Sequence, residues 1–433
     1  MADFFAYIWG SLKNEQKNMT AIVGVLNKHA VAIAADSAVT MGNTHKVVNS
    51  ANKIFTLSKY HPVAVMTYSS ASFMGVPWDI IIKEYRKQLK NKCFVKLEYY
   101  VDDFMKYLHK EHFFCDKKTQ ETYLRWMLES FFDICRNEIC NENHIDKKAL
   151  NDTLIEQKLT NCIGIYKAAD KCPDFDSYSL VNFKKYTETS IQNFANEKGF
   201  ANVDLLSESF FYYLSVKTLT YSYTGLVFVG YGEKEIYPSL IPVNISSLVV
   251  DGHLKYFIDQ TNVAKISEHG SWAVISPFAQ VDVVQTIIRG INPSFQDIIY
   301  NVIGKSIESY TDAITGILDK DPSTISVSTA IKGLDKQSVI KGITTQINKE
   351  MFSLYSKPLI DTVAHLDKED MANMAESFIS LTSLVRRMQP GEETVGGPVD
   401  VAVISKGDGF VWINRKHYFN PELNASFFSN YFK

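Results

Sequence analysis

Thr20, Asp36 and Lys53 are the residues of this chain whose types and spacing suit hydrolytic chemistry. A hydroxyl alone is a poor nucleophile; it needs a base within reach and a positive charge that favours the alkoxide. Cutting the peptide bond between Met19 and Thr20 would free the Thr20 α-amine, of unperturbed pKa about 8, to take the proton of its own side chain. Lys53 would lower the hydroxyl pKa, and Asp36 would keep Lys53 charged. A backbone N–H at Ser69 or Ser70 would receive the developing oxyanion.

These residues are far apart in sequence, so the elements around them must gather them. Residues 20 to 27 and 31 to 36 are runs of β-branched and small apolar residues split by Asn27-Lys28-His29, a hairpin pattern. Lys53 to Leu57 and Val63 to Ser69 are two more such runs, divided by Ser58-Lys59-Tyr60-His61-Pro62. Read as an up-and-down meander, the four strands bring Thr20, Asp36, Lys53 and Ser69 to one edge.

Residues 20 to 90 resemble the amino-terminal half of a proteasome β-type subunit of the N-terminal nucleophile (Ntn) hydrolase superfamily. The resemblance is carried by Ala34-Ala35-Asp36, the Thr40-Met41-Gly42-Asn43 turn and Lys53-Ile54-Phe55. It implies a catalytic Thr20, Asp36 and Lys53. Where that family ends its fourth strand in a Gly that forms the oxyanion hole, this chain has Ser69-Ser70. Val227 to Gly232 resembles the strand and turn that carry a supporting Ser in the family, and Tyr231 stands in that place here. Glu392 to Val401 resembles the loop that supplies a supporting Asp and Ser; Glu392 or Glu393 is the acid, and Val395 replaces the Ser. The implied fold is α+β, a four-layer αββα sandwich of two antiparallel sheets between helices.

The 433 residues are 46% hydrophobic, enough for a large core, and the net charge of −3 with acids and bases interspersed leaves no footprint for nucleic acid. Cys93, Cys115, Cys135, Cys140, Cys162 and Cys172 lack paired metal spacing and read as free thiols. No apolar run reaches the roughly 18 residues of a membrane span. Residues 1 to 19 lack a basic start and a small-residue cleavage site, and read as a propeptide or an over-extended start before Met19. A cytoplasmic protein without metal or cofactor is expected.

Helical patterns cover 77 to 89, 97 to 112, 117 to 140, 147 to 168, 203 to 218, 279 to 290, 295 to 318, 336 to 364 and 367 to 388. Strands are read between 225 and 258 and at 272 to 275, and a closing hairpin at 399 to 405 and 410 to 414. One domain thus spans 20 to 433, with helical insertions at about 91 to 222 and 291 to 365. His109 and His112 lack the i, i+4 spacing of a helical zinc-protease pair. Gly230-Tyr231-Gly232 reads as a strand end, Arg386-Arg387 as a helix-terminal basic pair, and Phe210 to Tyr213 as core.

The expected function is a threonine-type Ntn hydrolase that cleaves amide bonds in peptides. Two alternatives stand beside it: a catalytically silent, proteasome-like structural or binding subunit, and a small-molecule amidase or acylase. A homo-oligomer is expected, with no membrane or nucleic-acid partner; an unfoldase partner stays open.

Overall fold

The computed structural model describes residues 20–41, 46–110, 116–220, 222–389, 395–417 and 419–426. Its centre is two antiparallel sheets. The first is built from β1 (Ala21–Asn27), β2 (Val31–Ala35), β8 (Ala273–Ala279), β9 (Asp400–Ser405) and β10 (Gly409–Asn414), in the order β8-β1-β2-β9-β10. The second contains β3 (Ile54–Thr56), β4 (Val63–Ser69), β5 (Tyr223–Gly230), β6 (Ser239–Val250) and β7 (His253–Ile258), in the order β7-β6-β5-β4-β3.

Alternation along each strand explains why the sheets stack. In β1, Ile22 and Leu26 join a core shared with Ala64 and Met66 of β4 and Val227 and Val229 of β5. Their neighbours Ala21, Val23 and Val25 face the other way, against Met371, Ala375 and Phe378 of a long helix. On the second sheet, Val63, Val65, Leu226 and Phe228 turn outward and meet Trp78, Ile82, Tyr100 and Phe104. Each of these large side chains is fully buried and contributes roughly 1.5–3 kcal/mol.

The helices on the second sheet are α1 (Trp78–Leu89) and α2 (Leu97–Lys110). Pro77 stands at the N-cap of α1 with φ −60°, one residue earlier than a first-turn position. Between α2 and β5 come α3 (Lys117–Asn143), α4 (Asp152–Lys167), α5 (Leu180–Lys198) and α6 (Val203–Ser215). They bury their own core, with Phe131, Phe183, Phe194 and Phe210 at its centre and Leu248, Val250 and Phe257 contributed by the sheet. After β8 follow α7 (Asp282–Arg289), α8 (Pro293–Leu318), α9 (Ile325–Lys332), α10 (Lys336–Met351), α11 (Lys357–Val363) and α12 (Lys368–Met388). Asp367 caps α12 by accepting the Asp370 N–H at 2.9 Å.

The single meander read from the sequence is corrected. β1 and β2 form one hairpin, β3 and β4 another, and they lie in different sheets. β2 instead pairs β9, with Ala35 opposite Asp400, and β4 pairs β5, with Ser69 opposite Thr224. Both edges of β2 are therefore occupied, and the strand ends meet across the gap between the sheets.

Candidate active site

β2 runs out at Ala35, and Asp36 follows with 1% of its surface exposed. Its carboxylate accepts four hydrogen bonds. Oδ1 takes the Ala21 N–H at 2.9 Å and Lys53 Nζ at 2.7 Å; Oδ2 takes the N–H of Ala38 at 3.1 Å and of Gly396 at 3.3 Å. Lys53, one residue before β3, also donates to the Ala38 carbonyl at 2.6 Å. The ion pair thus bridges the two sheets. Such a pair does not by itself argue for stability, because taking both charges out of water costs several kcal/mol per ion. Burial pushes the Lys53 ammonium below the usual lysine range, Asp36 opposes that shift, and nearby Lys416 adds to it.

Thr20 precedes β1 and is 4% exposed. Its carbonyl accepts the Gln280 N–H at 3.2 Å from the end of β8. The Gln280 side chain is itself bonded by Arg386, whose guanidinium also pairs with Asp282. Arg386, read from the sequence as a helix-terminal charge, therefore braces the turn that holds Thr20. Thr20, Lys53, Ser69 and Ser70 line one cleft of about 210 Å³, together with Tyr68 and Trp78.

Ser69 and Ser70 are not equivalent. The Ser70 N–H donates to the Tyr223 carbonyl at 3.1 Å, so Ser70 is withdrawn as an oxyanion donor. The Thr67 N–H donates across to the Lys53 carbonyl at 2.9 Å. In an antiparallel strand N–H groups two residues apart point the same way. The Ser69 N–H is therefore directed to the Lys53 side, beyond the start of β3. Ser69 has φ 69°, the left-handed conformation that glycine adopts freely and other residues rarely. Its side chain lies beside the Tyr223 hydroxyl.

Tyr231 is corrected as a supporting residue. β5 runs antiparallel to β4, with Thr224 opposite Ser69 and Gly230 opposite Val63. Seven residues at about 3.3 Å each put Tyr231 roughly 23 Å along the sheet from the Ser69 end. It is buried in the core between the sheets, and among the described residues its hydroxyl has no hydrogen-bond partner. Glu392 and Glu393 lie outside the described residues. Val395 points into the core beneath α12, so no side chain substitutes for the family's Ser at that position.

The sequence reading missed the backbone of Gly396, which reaches Asp36 through its N–H and accepts the Ser37 N–H through its carbonyl at 3.0 Å. The Gly396-Gly397 doublet was its signal, since Gly397 has φ 74° and an added Cβ would lie 2.8 Å from Asn49. Asp400 and Lys416 were missed too; they form a partly buried ion pair beside the end of β2, and Lys416 follows no motif that could have marked it.

A larger cavity of about 560 Å³ lies along α3, walled by Tyr123, Trp126, Asp133 and Ser222. Its lining includes Ser130 and Glu129 but neither Thr20 nor Lys53, which line the smaller cleft. His109 is bonded to Asp174, which raises its pKa, and to the Met105 carbonyl; His112 lies outside the described residues. Among the described residues no three His, Cys, Asp or Glu side chains gather to hold a metal, and no helix is long and apolar enough to cross a membrane.

No protein-family model matches the chain, and no curated protein does. Among solved structures it is similar to Anbu (ancestral beta-subunit) from Yersinia bercovieri, at 9% identity over 95% of this chain and 94% of that one, with a TM-score of 0.29. It is likewise similar to Anbu from Hyphomicrobium sp. strain MC1, at 9% identity over 95% of each chain, with a TM-score of 0.30.

Proposed function

We propose that this chain is a threonine-type Ntn hydrolase of the proteasome-like kind, a four-layer αββα sandwich that cleaves amide bonds with Thr20 as nucleophile. The observation that carries the reading is the buried Asp36–Lys53 pair opening onto the cleft that Thr20 lines. After cleavage of the Met19–Thr20 bond, the Thr20 hydroxyl attacks the substrate carbonyl and passes its proton to the freed α-amine. The oxyanion is received by the Ser69 N–H, and the proton then moves to the departing amine as the C–N bond breaks. Water attacks the resulting ester, the amine takes a proton from it, and Thr20 is regenerated.

Lys53 acts on the hydroxyl through its charge, and burial strengthens that action because the local dielectric is low. The cleft is smaller than the roughly 300–1,000 Å³ of drug-sized pockets, which suits one substrate side chain or a short acyl group. That volume is what favours the second reading, a small-molecule amidase. A silent subunit is the third, favoured by the seating of Val395 and Tyr231 away from the cleft.

The mass of the purified chain's amino terminus and the turnover of Thr20→Ala test the proposal together. A chain beginning at Thr20, with hydrolysis abolished in Thr20→Ala and stability changed by less than about 2 kcal/mol, is the expected result. Undiminished turnover by the pure variant would remove Thr20 as nucleophile. Retention of residues 1–19 in a fully active chain would remove the α-amine as base.

A further inference from the structure

The segment from α8 to the turn before α11 is built unlike the rest of the molecule. Between Val284 and Val363 no apolar side chain is buried. Yet the segment 292 to 356 carries 13 of the 28 large apolar side chains exposed among the described residues. On α8, Phe295, Ile298 and Val302 are 54–56% exposed at i, i+3, i+7, and on α10 Val339 and Ile343 are exposed at i, i+4. The hairpin of α8 and α10 is closed instead by a polar cluster: Gln296 Nε2 and the Tyr300 hydroxyl both donate to Asn348 Oδ1, at 2.8 and 2.7 Å. Helices are stabilised mainly by packing of an apolar face, so a partner is missing from this one.

The charges indicate which partner. α8 carries Asp297, Glu308 and Asp312 against Lys305, a net of −2; α10 carries Lys336, Lys341 and Lys349 against Glu350, a net of +2. Among the described residues no ion pair joins these two helices; the pair found within the segment, Lys332 with Asp319, lies at its far end. An object offering a positive helix beside a negative one, each with an apolar stripe, is the same hairpin turned by a two-fold axis. Thirteen half-exposed large side chains amount to an area on the order of 1,000 Å², comparable with the roughly 800 Å² per partner of a stable interface.

We infer that the helical arm 292–356 is a self-association surface, on which α8 of one chain packs against α10 of a second copy and the reverse contact forms across the two-fold. The inference is independent of the chemistry at Thr20.

Sedimentation velocity on the full chain tests it, with Asp297→Lys/Glu308→Lys/Asp312→Lys as one variant and Lys341→Glu/Lys349→Glu as another. Each variant alone sets like charges against each other and should weaken association at least about tenfold. Mixing the two restores opposite charge at both contacts, so the mixture should return to dimer. A third variant, Val302→Ser/Ile343→Ser, leaves the charges alone and should also dissociate, with circular dichroism confirming the fold of all three. A wild-type chain that is monomeric at tens of micromolar would overturn the inference. So would a dimer indifferent to all three variants, or a monomer that floats with anionic lipid vesicles through this arm.

Discussion

Lys53 sits between opposing influences, and their balance fixes what single substitutions should do. Burial drives its pKa down and Asp36 holds it up, with the net shift downward. Asp36→Asn keeps a hydrogen-bonding oxygen but removes the anion, so the Lys53 pKa falls further and its charge is lost at lower pH. The alkaline limb of the pH–rate profile should therefore move to lower pH, while the acid limb changes less. Lys53→Ala should cost about 100-fold or more in kcat, as loss of a charge-stabilising group does. A pH–rate series on both variants is the measurement, and an unmoved alkaline limb in Asp36→Asn would show that Asp36 does not govern Lys53. Thr20, Asp36 and Lys53 could be singled out in the sequence because the roles proposed for them attach to side-chain type. Gly396 was not, since its contribution is a backbone N–H positioned by a loop 360 residues away from its acceptor.

At the scale of the elements, Lys255 of β7 ties the helical insertion to the second sheet. Its ammonium is fully buried and donates to the carbonyls of Tyr213 and Val216, each at 2.8 Å, and lies 5.1 Å from the Tyr213 ring. Among the described residues no carboxylate meets it, and burial lowers its pKa to about 8. The unfolded chain holds that proton until about pH 10.4. Between these values the unfolded state binds more protons, so stability contributed by this group rises with pH; below pH 8 both states are charged and the burial cost is complete. From pH 7.5 to 10.5 the wild type should gain on the order of 3 kcal/mol relative to Lys255→Met. Urea denaturation of both proteins across that range measures the difference, and parallel curves would contradict it. The long amphipathic elements were legible: the reading of 117 to 140 corresponds to α3, and 295 to 318 to α8. α5 was missed because its buried stripe of Phe183, Thr187, Ile191 and Phe194 passes through the polar run Thr187-Glu188-Thr189-Ser190. The pairing of β2 with β9 was illegible, since its partner lies more than 360 residues on and no local pattern announces it.

For the whole molecule, the arm enters and leaves at one place. Ser356 Oγ donates to the Ile288 carbonyl at 2.9 Å, and an added Cβ on Gly290 would lie 2.5 Å from the Tyr355 ring. Replacing residues 291–355 by a short Gly/Ser linker should therefore leave the two sheets folded, because no buried apolar side chain is removed. Thermal unfolding should retain one cooperative transition with its midpoint within a few degrees of wild type, and the protein should be monomeric. Aggregation or loss of the transition would show that the arm supports the core.

The same neck contains a five-residue π-helical turn, Phe352–Ser356, between α10 and α11. Such turns are wider than an α-helical turn and often mark a functional position. α8 rises for about 39 Å beyond this neck. Mechanically that is a lever: a tilt of about 10° at the pivot sweeps the far end of α8 through roughly 7 Å. Where arms of two copies grip one another, a small rotation there would change the distance between their two clefts.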